Sequence, residues 1–254
     1  MKKKKYGGYK NLHEDKTGLL KHREWRGFKD TLVDYWRWLV TWKDRVVMVL
    51  KNPIAVVKGL WRYRWMATYL STPAFVDRHT EGLRGPQLLM THLHFNMIVK
   101  HATGLILTAF EADEKMFPKN KNSKKLVCVD ELIPAEFIAG FPNLKMYPMQ
   151  TMPIFLSSMV DQLIVPPYLD AIESFGVPAD VCPLPSAEAG VCVEDDYPKL
   201  GKCMITCNMP CDGSIMTTTF QDRYFKLPTH VYNVPLRYKG EDVQKYAVDE
   251  IKDL

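Results

Sequence analysis

No stretch of this 254-residue chain stays apolar long enough to span a membrane. The best, RVVMVLKNPIAVVKGLW, is broken by lysines and by Pro53. The opening lysines are followed by YGGYKNLHEDK, with no apolar core and no cleavage site, so no secretory signal is read. No CxxC pair occurs, which deprives a ribbon-type zinc site of its usual spacing. No glycine-rich phosphate loop of Walker or dinucleotide type occurs either, so ATP and NAD binding are not indicated. There is no internal repeat. Charge of one sign is in small excess, with a formal net charge of +5. The excess is concentrated in MKKKK and in KNKNSKK at 119–125, which read as solvated tail and linker. Neither a nucleic acid nor a membrane partner is expected. These absences together point to the cytoplasm, where thiols stay reduced.

Tryptophan is missing from the last three-quarters of the chain. All six, Trp25, Trp36, Trp38, Trp42, Trp61 and Trp65, precede position 66. Residues 28–50 carry apolar groups at roughly the three-and-four spacing of an amphipathic helix, ended by Asn52-Pro53. AVVKGLWRYRWMATYL reads as a second helix that stops before Ser71, and a third is expected over about 86–112. From Lys124 the texture changes. KLVCV, LKMYPM, KCMITC and THVYNV read as strands, and a further strand is expected to end at Cys182-Pro183. Helical stretches at 134–141, 153–176, 211–226 and 241–254 alternate with them, with a short polar helix after VPADVCPLP. The expected organisation is therefore a disordered basic tail (1–20), a helical N-terminal region (21–120) and an α/β domain (124–254). Its class is a doubly wound, mostly parallel sheet of flavodoxin or Rossmann type.

Such sheets bind ligands outside the carboxyl ends of their strands. Here those ends carry Asp130-Glu131, Gln150-Thr151, Cys182-Pro183, Asn208 to Asp212, and Pro235 to Tyr238. Of the six cysteines, Cys182 and Cys211 thus fall where a ligand would sit. Cys203 and Cys207 share a strand face, four residues apart, and Cys128 has the same mid-strand position. These three read as buried thiols. Cys211 follows Pro210 and precedes a helix start, Asp212-Gly213-Ser214, where the helix dipole and free amides favour a thiolate, an anionic cluster or a phosphate. Spacing alone leaves a metal site and a metal-free site equally open.

VCVDELIPAEFIAGF, VCPLPSAEAG, ITCNMPCDGS and THVYNVPLRYKGEDVQKYAVDEIKDL resemble, in that order, the first α/β domain of the 2-hydroxyacyl-CoA dehydratase family, which includes benzoyl-CoA reductase subunits. The resemblance covers roughly residues 124–254. It implies an iron–sulfur subunit, or partial subunit, paired with a homologous second subunit and served by an ATP-dependent activator protein. The implied substrate is an (R)-2-hydroxyacyl-CoA, which loses water by a one-electron, ketyl-radical route. The implied cofactor is a [4Fe–4S] cluster on three cysteines, two of which match Cys182 and Cys211. The third belongs to a second α/β domain, with Cys192 and Cys207 as substitutes within these residues. Two other readings are a benzoyl-CoA reductase-type subunit and a non-catalytic accessory or assembly subunit of the same fold. A cluster-free domain that binds a small anion at its helix N-termini is a further one.

Glu131, beside a strand end, is a candidate acid or base near a bound thioester. Glu136 reads as a helix-start acid, and Ser186 and Glu188 either support the cluster or cap the helix that follows Cys182. His94 and His101 stand two helical turns apart with no carboxylate to complete a ligand set, and read as a polar helix face.

Overall fold

The computed structural model describes residues 28–29, 32, 36, 43, 46–80, 83, 85–119, 121–130, 133–134, 136–208, 212–235 and 239–253. The basic tail and most of the helix expected over 28–50 lie outside them, although residues 46–51 are helical. The chain divides into two units. One comprises Met1–Val47 with Pro73–Lys100, the other Met48–Thr72 with His101–Leu254. In the first, helix α2 (Thr72–Thr80) and the early part of α3 (Gly85–Ala112) are joined by an aromatic trio. The Phe75 and Phe95 rings meet edge to face at 5.4 Å, and His79 lies 4.2 Å from Phe75.

The second unit is the α/β body. Its helix α1 (Pro53–Arg62) begins at Pro53, where the sequence predicts only the end of the preceding helix, with the second helix starting at Ala55; it then breaks at the extended residue Tyr63. A 3-10 segment, Arg64–Ser71, replaces the rest of the expected second helix. Four strands follow: β1 (Leu126–Val129), β2 (Lys145–Pro148), β3 (Cys203–Cys207) and β4 (Thr229–Tyr232). All pair in parallel, in the order β2-β1-β3-β4. That is the strand order of flavodoxin-like doubly wound sheets.

Between them run α4 (Glu136–Ala139), α5 (Ser157–Val160, entered through a wide turn at Thr151–Leu156), α6 (Val165–Ser174), α7 (Pro183–Val193) and α8 (Asp212–Phe225). Helix α9 (Glu241–Asp253) follows β4. Gly176, with φ of +107°, closes the α6 region in a conformation that glycine adopts without a Cβ penalty.

Side chains alternate across the pleat, so the sheet has two cores. Leu126, Cys128, Tyr147 and Met204 face one, with Ala187 and Val191 of α7, Phe225 of α8 and Tyr168 of α6. Val127, Val129, Ile205 and Cys207 face the other, under Ile133 and Ile138. The first core extends to residues before position 124. Tyr63, Trp65 and Phe110 are fully buried in it, with the Tyr63 ring stacked on both others.

The strand expected to end at Cys182 does not form. Residues 177–182 are turn and coil, and Cys182 is the N-cap residue of α7. Pro183 therefore opens a helix instead of stopping a strand. The helix expected to be polar is buried from Pro185 through Cys192. Its sequence, PLPSAEAGVCV, is rich in small residues, and these let it lie against α6. A Cβ added at Gly190 would stand 2.1 Å from the Tyr168 carbonyl oxygen.

Candidate functional site

The carboxyl edge of the sheet is assembled from loop residues that finish the strand ladders. Asp130 N–H donates to Ile205 O, and Met149 N–H to Val129 O, each at 3.0 Å. Asp130 is buried, and its Oδ2 accepts from Gln150 Nε2 at 3.2 Å, which ties the exits of β1 and β2 together. Asn208, at the exit of β3, accepts from Val234 N–H at 2.9 Å through Oδ1. Glu131 lies outside the described residues.

Helix α7 returns to the entrance of β3 through residues 194–202, so its N-terminus lies at the carboxyl edge of the sheet. Helix α8 leaves β3 and starts at that same edge. The two helices are joined near these starts. Thr217 Oγ1 of α8 donates to Pro185 O in the first turn of α7 at 3.0 Å, and Thr206 and Thr218 hydroxyls meet at 2.7 Å to hold α8 on β3. Cys182 caps α7 without a side-chain cap hydrogen bond, and its side chain is exposed. Cys211 lies outside the described residues; the next residue in the chain, Asp212, is the first of α8.

Of the remaining cysteines, Cys192 and Cys203 sit away from this edge, Cys128 is mid-strand, and Cys207 ends β3 at the edge. Burial pushes the Cys128 and Cys192 thiols well up, and raises Cys203 as well, so these groups stay neutral. Cys192 is near the far end of α7, ten residues from Cys182, roughly 15 Å at 1.5 Å per residue. Cys207 packs on the opposite sheet face from α7 and α8. Neither joins Cys182. Among the described residues no three His, Cys, Asp or Glu side chains group as a metal site. Within the described residues this edge therefore offers one exposed thiol at a helix N-terminus, a donor type that a sulfur-ligated group would use.

A second polar cluster escaped the sequence reading. Tyr63 Oη donates to Asp113, and Tyr168 Oη to Asp196, both buried carboxylates. Trp65 Nε1 donates to Asp196 O at 2.9 Å. Lys115 Nζ reaches Asp195 Oδ1 at 2.8 Å and Tyr197 O at 2.9 Å, and Arg62 pairs with Asp195 at 2.5 Å. The only signal of this in the sequence was EDD at 194–196, which reads as a solvated loop. The structure corrects that for Asp196, whose burial is 94% complete at 6% exposure. The cluster fastens residues 62–65 to the turn after α7, and every member has a structural partner.

An all-parallel doubly wound body with helix N-termini gathered at its carboxyl edge is the class of fold that places small ligands at that edge. Residues 163–254, from just before α6 through α9, match the family described as 2-hydroxyglutaryl-CoA dehydratase, D-component. The resemblance to the dehydratases is thus shown over that segment, which includes α7, β3, α8, β4 and α9. Comparison with curated proteins and with solved structures finds no match. No helix of the described residues is long and apolar enough to cross a membrane.

Proposed function

We propose that this chain is an iron–sulfur subunit, or part of one, of a 2-hydroxyacyl-CoA dehydratase-type enzyme. The observation that carries the reading is the location of the family match. It covers the starts of α7 and α8, the two helices joined by the Thr217–Pro185 hydrogen bond and preceded in the chain by Cys182 and Cys211. In this reading Cys182 and Cys211 hold one edge of a [4Fe–4S] cluster, and the third protein ligand comes from outside the described residues. When bound, such a cluster supplies a one-electron donor and a Lewis-acidic iron. The chain's own part is to fix two thiolates at helix N-termini, where dipoles and amides favour negative charge, and to keep the underside of the site dry. Glu131 is proposed as the acid or base beside an acyl-CoA thioester. A homologous second subunit, an ATP-dependent activator and a reducing, cytoplasmic setting complete the proposal. Water would be lost from an (R)-2-hydroxyacyl-CoA; ring reduction of the benzoyl-CoA reductase type would use the same site.

The separation of Cys192 and Cys207 from Cys182 favours one other reading. A chain that offers two ligands and no third can act as an accessory or assembly subunit. Iron and acid-labile sulfide on anaerobically purified protein test the first reading, for wild type, Cys182→Ala, Cys211→Ala and Cys203→Ala. About four irons in wild type and Cys203→Ala, lost in the other two, is the expected result. Iron-free wild type, or equal loss in Cys203→Ala, overturns it and leaves the accessory reading.

A further inference from the structure

Helix α1 is apolar on two sides, and only one of them is packed. Ala55, Val56 and Gly59 are buried, and a Cβ added at Gly59 would overlap the Phe110 ring. On the other side Ile54, Val57 and Trp61 follow one another at three- and four-residue steps and form a stripe, with Leu50 one turn ahead of them. Leu50 is 70% exposed, Ile54 and Val57 are each 66% exposed, and Trp61 is 94% exposed. Large side chains open to that degree protrude from the surface. One alone is ordinary, but a stripe of them marks an interaction surface.

Lysines border the stripe. Lys51 and Lys58 are exposed, seven residues apart on one flank. Lys58 Nζ donates to Met116 O at 3.1 Å and lies 4.3 Å from the centre of the Phe117 ring, so its stem runs along apolar surface. A hollow at the start of α1 is lined by Lys51, Ile54, Phe117 and Asn122, which brings the lysine-rich segment 119–125 to the same side. Lys119, Lys121, Lys124 and Lys125 are exposed there. Glu111, which also lines the hollow, and Glu114, paired with Lys124 at 3.4 Å, oppose them, and the balance among these residues is positive.

An apolar stripe beside a positive flank fits an anionic partner. A second copy of this chain would set the same lysines against one another, and like charges across a contact are unfavourable. A protein partner must offer a trough shaped to the protruding side chains, whereas the apolar boundary of a bilayer accepts them in any arrangement. Tryptophan with neighbouring lysines is the make-up of helices that lie among the headgroups of anionic bilayers, with the rings at the apolar boundary and the ammonium groups at the phosphates. In the other unit the helical residues Phe28, Leu32 and Trp36 keep a spacing of four and are each more than half exposed.

We propose that the outer face of α1 docks on an anionic lipid surface. Leu50, Ile54, Val57 and Trp61 enter the headgroup boundary, and the lysines beside them, Lys51 and Lys119 among them, meet the lipid phosphates. The helix lies on the bilayer and does not cross it, in keeping with the finding that no helix of the described residues is long and apolar enough to span. The proposal goes beyond the dehydratase reading and does not rest on the cluster.

The test mixes the 254-residue protein with vesicles of phosphatidylcholine alone, or with about one lipid in three replaced by phosphatidylglycerol, and reads the bound fraction by co-sedimentation. The variants are Trp61→Ala, Val57→Ser, the pair Lys51→Gln with Lys119→Gln, and Lys245→Gln on α9 as control. Every side chain changed is exposed, so melting temperatures should match wild type. Wild type and the control should bind the mixed vesicles and leave the neutral ones free. Trp61→Ala and Val57→Ser should each bind about tenfold more weakly. The lysine pair should bind at least about tenfold more weakly, with a shallower dependence on salt. Absence of binding to the mixed vesicles overturns the proposal and leaves the face to a protein partner. Equal binding to both kinds of vesicle also overturns it. Binding that the lysine pair weakens but Trp61→Ala and Val57→Ser do not is adsorption by charge alone, and overturns it too. Sedimentation velocity without lipid supplies the last outcome: self-association of wild type that Trp61→Ala abolishes assigns the face to a second copy instead.

Discussion

Single residues decide how closely the elements of the α/β body approach. Gly190 has a normal helical backbone, so its role is not conformational freedom but space. Its missing side chain lets α7 meet the backbone of α6 at Tyr168. Gly190→Ala forces those helices apart, and overpacking of that kind costs about 1–3 kcal/mol. Urea unfolding monitored by circular dichroism should show the unfolding free energy reduced by that amount, as a lowered midpoint with an unchanged slope; a midpoint equal to wild type would mean that α6 moves freely. The reason the sequence did not announce this contact is plain. Glycine in SAEAGVCV is compatible with an exposed helix, a cap or a packed crossing, and only the position of Tyr168 chooses between them. The mid-strand cysteines were legible, because alternation along a strand is a local property. Cys128 and Cys207 are buried as their spacing indicated, whereas Cys203, expected to be buried with them, is half-buried at the start of its strand.

Segment 62–65 and the turn at 194–197 are held together mainly by carboxylates, so their union depends on pH. Burial pushes the Asp113 carboxyl up, against the opposing pull of Tyr63 and of the Lys115 and Lys199 N–H groups. Burial likewise raises Asp196, against Tyr168 and the Arg64 N–H. A carboxyl raised on folding binds its proton more tightly in the native state. Its contribution to stability is full below the unfolded value of about 4 and is lost as pH rises through the folded one. Asp195 has the opposite sign. Burial pushes it up, but Lys115, Tyr224 and Arg62 outweigh that and hold it below the ordinary range. Its contribution is full above the ordinary value and is lost as pH falls through the lowered one. Melting temperatures between about pH 4 and 7 should therefore separate two variants. The advantage of wild type over Asp113→Asn should shrink as pH rises, while its advantage over Asp195→Asn should be largest near neutrality. Asp195 is half exposed, so the second difference should be small and should weaken with added salt. A wild-type advantage over Asp113→Asn that grows toward neutrality would contradict the assignment.

Across the whole molecule, the α/β body does not begin where the strands begin. Trp65 and Phe110 lie in the same core as Tyr147, Met204 and Phe225. A fragment of residues 124–254 keeps all four strands but loses these aromatic groups, each worth about 3–5 kcal/mol when removed from a core. It should fail to unfold cooperatively on heating, whereas a fragment starting at residue 48 should give a single sharp transition. A cooperative melt of the shorter fragment near the wild-type temperature would show that the early segments are dispensable.

By itself the sequence determined the alternation of strands and helices after Lys124, the parallel class of the sheet, the helix break at Asn52-Pro53, and the helix starts near Pro86 and Asp212. It also carried the family resemblance, which the match over 163–254 supports. These are written in periodicity, proline placement and short motifs, all of which act over a few residues. Only the tertiary structure decided that Cys182 caps a helix, that PLPSAEAGVCV is the buried one, and that Tyr63, Trp65 and Asp196 bind one segment to another. Burial and pairing depend on partners some 30 to 130 positions away, as between Trp65 and Asp196, and no local pattern records which distant residue will arrive.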